Sequence, residues 1–245
     1  MKRFEYAFAL VVILLIWQAG AMLTSGSIIA SPLIVFHKLI DEALSGNIGI
    51  HIGRSIFRIL AALVLAFVSA VPFGLYLGLS KRADRIAKPF IYLSYPIPKI
   101  ILMPVVMLIF GLGDLSKIVL LWMILFFQLL ITTRDAARIV SKEARFSLLS
   151  LGGTKWHLFR HVIWPSCLPS VLTALRITTG TMVAVLFLVE SIGTRQGLGY
   201  YIIDAWGRAD IPQIFVGMVL LAAIGVLFYE LFDLLEKRYC KWNQI

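Results

Sequence analysis

Charge and cysteine are what this sequence has least of. Only 15% of its 245 residues are Asp, Glu, Lys or Arg, where a soluble domain carries about a quarter. A chain that is 60% hydrophobic, with mean hydropathy +0.91, has too little polar surface to face water at this size. That excludes a soluble globular domain and makes lipid its solvent. Two cysteines, Cys167 and Cys240, exclude a disulfide framework. There is no CxxC, no HExxH and no His/Cys cluster, so no metal centre is indicated. His157 and His161, four apart on one helix face, read as a polar face at the membrane surface rather than a ligand pair. No GxxxxGK[ST] occurs, so this chain cannot cradle ATP phosphates itself. No Ser/His/Asp arrangement stands out. The formal net charge is +10, but the basic residues are spread between apolar runs instead of forming one patch, which argues against nucleic acid.

What the chain has is apolar runs of spanning length. A bilayer core of about 30 Å needs roughly 20 helical residues. Residues 7–23, 59–80, 118–133 and 211–229 are uncharged, 89–113 holds only Lys99, and 165–189 holds only Arg176. The runs are continuous rather than alternating, so helices are expected and strands are not. This predicts an all-α membrane protein with six transmembrane helices. Lys2 and Arg3 precede the first run as they would in a signal peptide, but its length and a weak cleavage site point to a retained helix. Residues 31–45 read as an external amphipathic helix lying on the membrane.

Counting Lys and Arg sets the orientation. With a cytosolic N-terminus, fifteen of the 23 basic residues fall inside and six outside, with Lys99 and Arg176 within spans. Both termini are therefore expected in the cytosol, with 134–164 as the longest cytosolic loop.

That loop contains "LGGTKWHLFRHVIWPSCLP", residues 151–169. The spacing predicts one helix over 134–152 running out of the fourth span. Gly152 and Gly153 then break it, since glycine permits the positive φ of a sharp reversal. Thr154 is placed to cap a second short helix. On that helix Trp156, Phe159 and Ile163 share a face, with Lys155 and Arg160 pointing elsewhere, and Pro165 opens the fifth span. Two readings fit: an interfacial helix resting on headgroups, or a docking element with aromatic anchors and a basic rim.

Within the third run, "PIPKIILMP" places Pro96, Pro98, Lys99, Met103 and Pro104 together. A lysine in lipid must face a pathway, a partner or an interface. Prolines are tolerated there where protein or a cavity covers the freed backbone. Pro96, Pro98, Lys99 and Met103 are the candidate pathway residues. Arg176, three turns into the fifth span, packs against headgroups or another helix, and pairing with Glu190 is not expected. "QGLGYYI", 196–202, reads as an external turn and helix start.

The loop resembles the cytoplasmic signature of binding-protein-dependent ABC importer permeases: Glu-Ala-Ala, three residues, Gly, nine residues, an aliphatic residue, one residue, Leu-Pro. Gly152 takes the glycine place, Val162 the aliphatic place, and Trp164-Pro165 the Leu-Pro place. "LGGTKW", "HIGRSIFRILAALVLAFVSAVPFGLYLGLSKR", "PFIYLSYPIPKIILMPVVMLIFGLGDLSKI" and "GTRQGLGYYI" resemble the nitrate/sulfonate/taurine branch, over about residues 31–242. One departure stands out: the Glu-Ala-Ala place holds Phe146-Ser147-Leu148, and the nearby glutamate is Glu143, three residues earlier.

The resemblance implies a type I ABC importer permease fold of the bacterial inner (plasma) membrane. It implies a single permease domain over 1–245, with a peripheral first helix in 1–30, an external amphipathic segment in 31–58 and a five-helix core in 59–236. The short helix would be a coupling helix seated in a cleft of a separate ATPase, with Glu143, Phe146, Gly152, Gly153, Lys155, Trp156, Phe159 and Pro165 at that contact. The implied partners are an ATP-binding subunit dimer that binds ATP and Mg, a second permease copy and an extracytoplasmic binding protein. No cofactor, catalytic residue or metal is expected in this chain. The cargo would be a small anionic solute of the nitrate, taurine or alkanesulfonate type; thiamine-precursor pyrimidines are also handled by the branch. The alternative is a stand-alone secondary transporter or channel, which would need internal repeats or a charged relay, neither of which is seen.

Overall fold

The structure, a computed structural model, describes residues 2–24 and 28–243. Helices account for nearly all of it, and among the described residues there is no strand. In chain order they are α1 (Lys2–Leu23), α2 (Pro32–Leu44), α3 (Asn47–Leu79), α4 (Lys81–Ser94), α5 (Met103–Phe110), α6 (Asp114–Arg138), α7 (Lys142–Ser150), α8 (Lys155–Leu158), α9 (Trp164–Glu190), α10 (Leu198–Gly207) and α11 (Ile211–Tyr239).

Four stretches are long and apolar enough to cross a bilayer: Ile48–Leu79, Asp114–Arg138, Lys155–Glu190 and Ile211–Tyr239. The third apolar run is broken instead of straight. Lys81–Ser94 and Lys99–Phe110 meet at a bend of 78°, because Pro96 and Pro98 withhold backbone donors just where α4 ends. A short 3₁₀ turn, Lys99–Leu102, restarts the helix before α5. The apolar part of α1, Ala7–Leu23, is shorter than the four long spans. The expected external segment 31–58 divides at Gly46, whose φ is +76°. Before it lies α2, capped by Ser31 with proline in its first turn; beyond it, 47–58 are the opening turns of the 33-residue α3.

The chain forms two compact units. In the one made of 1–56 and 187–223, Ala30, Val35, Ile48, Tyr201 and Val216 form a buried cluster with Trp17 and Phe215 packed on it. Trp17 stacks on Phe215 at 5.7 Å and donates its indole N–H to Ala30 O at 2.9 Å. Lys38 on α2 reaches Asp210 at 3.1 Å. In the other unit, 57–186 and 224–245, the buried face of α6 carries Leu121, Leu125 and Leu129. Gly74 lets α3 approach that helix: a Cβ there would sit 2.8 Å from Leu130 O. Trp122 closes the same contact by donating to Ser69 Oγ at 3.0 Å.

Two cations counted as external by position are interior. Arg58 is 1% exposed and its Nη2 lies 2.6 Å from Asp114 Oδ1 at the start of α6. Lys117 is fully buried and donates to Leu112 O at 2.6 Å. Most remaining large apolar side chains on α1 and α4 are exposed, as lipid-facing helices require.

Candidate functional site

The expected single helix over 134–152 is two helices. α6 ends at Arg138, and Ser141 starts α7 by accepting the Ala144 N–H at 3.1 Å. A serine three residues past the end of a span competes with the helical backbone and favours a cap. Arg145 ties the pieces together by donating to Ala137 O at 3.0 Å. No residue of α7 is buried. Glu143 and Phe146 both stand exposed, one turn apart on one face. The first-turn backbone N–H and the Ser141 hydroxyl at 2.8 Å hold the Glu143 carboxyl below the usual range.

α7 closes in a Schellman motif. Gly153 N–H donates to Leu148 O and Gly152 N–H to Leu149 O, each at 3.0 Å. Gly152 has φ +79°, the left-handed value expected of it. Gly153 is needed for a different reason: a Cβ there would lie 2.7 Å from Leu148 O. Thr154 then caps α8 in a reciprocal box, its side chain accepting His157 N–H at 3.3 Å while its own N–H reaches His157 Nδ1 at 3.4 Å.

The aromatic face departs from the expected i, i+3, i+7 pattern. Trp156, 62% exposed, stacks on half-buried Phe159 at 5.7 Å. Phe159 then stacks on Trp164 at 6.4 Å, while Ile163 is buried. A π-helical turn over Phe159–Ile163 explains the shift. It adds one residue to the turn, so Trp164, whose N–H bonds Phe159 O, takes the place that Ile163 would hold in an α-helix. The wide turn lies just ahead of Pro165, where a ring clash would otherwise break the ladder. The α8 segment and the span are thus one continuous helix, and Pro165 does not open a new one. Trp164 also meets Phe67 of α3 edge-on at 6.4 Å, so four rings run from an exposed tip into the bundle. Lys155 and Arg160 are exposed. His157 and His161 stand 6.2 Å apart, and among the described residues no group of three or more His, Cys, Asp or Glu could hold a metal.

The four candidate pathway residues separate. Pro96 and Pro98 are exposed, whereas Lys99 and Met103 are buried. Lys99 Nζ donates to Ser94 O, and to Ile97 O at 2.9 Å, and lies 4.5 Å from the Phe127 ring centroid. It therefore closes the broken end of α4. Arg176 joins another helix rather than headgroups, with Nη1 2.8 Å from Asp233 and 3.3 Å from Glu236 on α11. A separate polar cleft of about 610 Å³ lies between α6 and α9, with Gln128, Thr132, Ser166, Ser170 and Thr173 among its lining residues.

The "QGLGYYI" stretch is more than a connector. Glu190, fully buried, lies 2.9 and 2.8 Å from Ser55 Oγ and accepts Gly199 N–H at 3.0 Å. Ser55 Oγ accepts Leu198 N–H at 2.9 Å. His51 Nδ1 sits 3.1 Å from Gly197 O. Sequence reasoning missed this network because Ser55 and His51 stand 135 and more positions from Glu190, Leu198 and Gly197.

Apolar helices, a broken third span and an exposed helix–glycine–helix elbow together define a polytopic membrane protein. The chain belongs to the binding-protein-dependent transport system inner membrane component family, whose profile matches residues 70–240. It is thus a multi-pass inner-membrane permease subunit of ABC importers and not an enzyme. It is 29% identical to the putative aliphatic sulfonates transport permease protein SsuC of Bacillus subtilis (strain 168), over 95% of this chain and 85% of that protein. It is 28% identical to the taurine transport system permease protein TauC of Escherichia coli (strain K12), over 96% and 88%. With the formylaminopyrimidine transport permease protein ThiX of Halalkalibacterium halodurans it shares 28% identity over 100% and 99%. A chain of the MetNI methionine ABC transporter in an inward-facing conformation superposes with a TM-score of 0.63 at 18% identity, covering 77% of this chain and 94% of that one. The fold is that of type I ABC importer permeases.

Proposed function

We propose that this permease is driven by a separate ATPase through the elbow of α7 and α8 and imports a small anionic solute of the sulfonate type. The observation that carries the coupling is the elbow itself. A Schellman turn at Gly152 presents Phe146 and the outer face of Trp156, stacked on Phe159, to solvent, and exposed aromatics on an ordered scaffold are the anchors protein partners use. Glu143, Gly153, Lys155, Phe159 and Pro165 complete that contact or its support. ATP and Mg belong to the partner, with no cofactor on this chain. A second copy completes the pathway, an extracytoplasmic binding protein delivers the cargo, and both termini lie in the cytosol, where the basic residues concentrate.

The solute class rests on the sulfonate and taurine permeases to which the chain is similar. Lys99 and Arg176 add little to it, because backbone carbonyls hold one and carboxylates the other. The pathway reading of Pro96, Pro98, Lys99 and Met103 rests on the break in the span. The test is reconstitution: the permease alone should not hydrolyse ATP, and uptake of a sulfonate should require the ATPase and the binding protein. Uptake by the permease alone in vesicles would favour the stand-alone transporter instead.

A further inference from the structure

The ends of α3, α4 and α6 enclose a cleft of about 290 Å³ lined by Gly78, Lys81, Asp84, Arg85, Lys88 and Arg138. Its one carboxylate is already engaged. Asp84 is buried and lies 3.3 Å from Arg138 and 3.8 Å from Arg134. Lys81, Arg85 and Lys88 are exposed, and among the described residues none has an ion-pair or hydrogen-bond partner. They stand at i, i+4 and i+7 on one face of α4, a spacing at which like charges repel. The α4 N-terminus, capped by Ser80, adds its own positive end to the same place.

A second face of α4 narrows the choice of counter-charge. Ile86, Phe90 and Leu93, also at i, i+4 and i+7, are each about 70% exposed. In a chain that spans a membrane such a stripe meets acyl chains. The two faces lie about 140° apart around the helix, so the stripe marks where α4 meets the bilayer, and the cleft stands where the spans Ile48–Leu79 and Asp114–Arg138 end, the depth at which phospholipid headgroups lie.

We infer that this cleft binds the phosphodiester of an anionic phospholipid, whose acyl chains lie in the surrounding bilayer. Basic pockets between helix ends at the membrane surface recognise anionic headgroups in this way, and each cation there contributes about five-fold to binding. The inference goes beyond the transport reading and does not depend on it.

The experiment is native mass spectrometry of the purified full-length chain in detergent, titrated with phosphatidylglycerol and, in parallel, phosphatidylcholine. Phosphatidylglycerol is expected to bind preferentially. The triple variant Lys81→Gln, Arg85→Gln, Lys88→Gln is expected to lose that binding by about 100-fold, three such factors multiplied. Should the triple variant fail to fold, Arg85→Gln and Lys88→Gln singly are each expected to lose about five-fold. Equal binding of the two lipids, or variants that bind phosphatidylglycerol as the parent does, overturns the inference. Displacement of the lipid by excess inorganic phosphate assigns the cleft to a soluble anion and also overturns it. A triple variant that keeps its lipid but no longer retains the ATPase subunit assigns the cleft to a protein contact, with the same consequence.

Discussion

At Gly152 the backbone holds φ +79° with open space where a Cβ would stand, so a side chain there meets strain but no collision. Strain of that kind costs on the order of 1–3 kcal/mol. Gly152→Val is therefore expected to insert normally, since the change lies outside the spans, yet to swing Trp156 off its docking geometry and lose uptake. Uptake, membrane abundance and ATPase co-purification should be read on one preparation; normal uptake at normal abundance would end the coupling reading of this turn. The missing motif glutamate poses a second question at this scale. Phe146 is 67% exposed, and burying such a ring is worth about 1.5–3 kcal/mol. Phe146→Ala should weaken ATPase binding about tenfold or more in a pull-down titration. Glu143→Gln should weaken it less, because the carboxyl is exposed and water screens it. The Glu143 pKa is depressed, so any contribution of its charge is complete above the ordinary carboxylate range and fades only as pH falls through the lowered value. The Glu143 charge should then contribute no pH dependence between pH 6 and 8. The reverse ranking of the two variants would assign the role to Glu143.

The helix that joins elbow to membrane carries its own test. With the π turn in place, Trp164 continues the ring ladder of Trp156 and Phe159 while Ile163 faces the interior. Trp164→Ala should cut uptake while the protein still accumulates in the membrane. Ile163→Ala should lower the melting temperature, because a core truncation of this kind removes about 2–5 kcal/mol of stability, and leave uptake per folded molecule unchanged. Swapped phenotypes would show that the segment is a plain α-helix in the working protein. This element also marks where the sequence stops being readable. Apolar runs gave the long helices because burying a backbone in lipid demands a helix and sets its length. The elbow was legible too, since Gly-Gly-Thr carries its turn and cap chemistry locally. The inserted π residue was not, because nothing in Phe159–Ile163 differs in composition from an α-helical turn. The break at Ser141 left only a single cap residue as its trace. Arg58 and Lys117 were assigned to the surface by position along the chain, yet Arg58 has its partner 56 residues away, a distance that no local pattern encodes. The same limit hid Ser55 and Glu190.

A single chain of this fold presents one elbow and, on the proposed reading, would line one side of a pathway. Closing that side with lipid would put the exposed prolines of the third span, Pro96 and Pro98, against hydrocarbon beside a backbone whose regular bonding is broken, which lipid does not tolerate. A second copy related by two-fold symmetry would cover the same surface on both chains and supply a second elbow, and such closed dimers are the commonest oligomers. Stable pairing needs roughly 1,200–2,000 Å² of buried surface, and the apolar face of α5, with Val105, Leu108 and Ile109 all exposed, adjoins the break. The expectation is two permease chains per particle. Co-expression of differently tagged copies followed by tandem purification should recover both tags in one complex, and the mass of the detergent-solubilised particle should hold two permeases with two ATPase subunits. Leu108→Arg should split the pair, since an unpaired charge in a buried contact costs several kcal/mol, while single chains still insert. One permease per particle in the parent protein, or a paralogous chain in place of the second copy, would refute the homodimer and leave the elbow, the fold and the family membership as they stand.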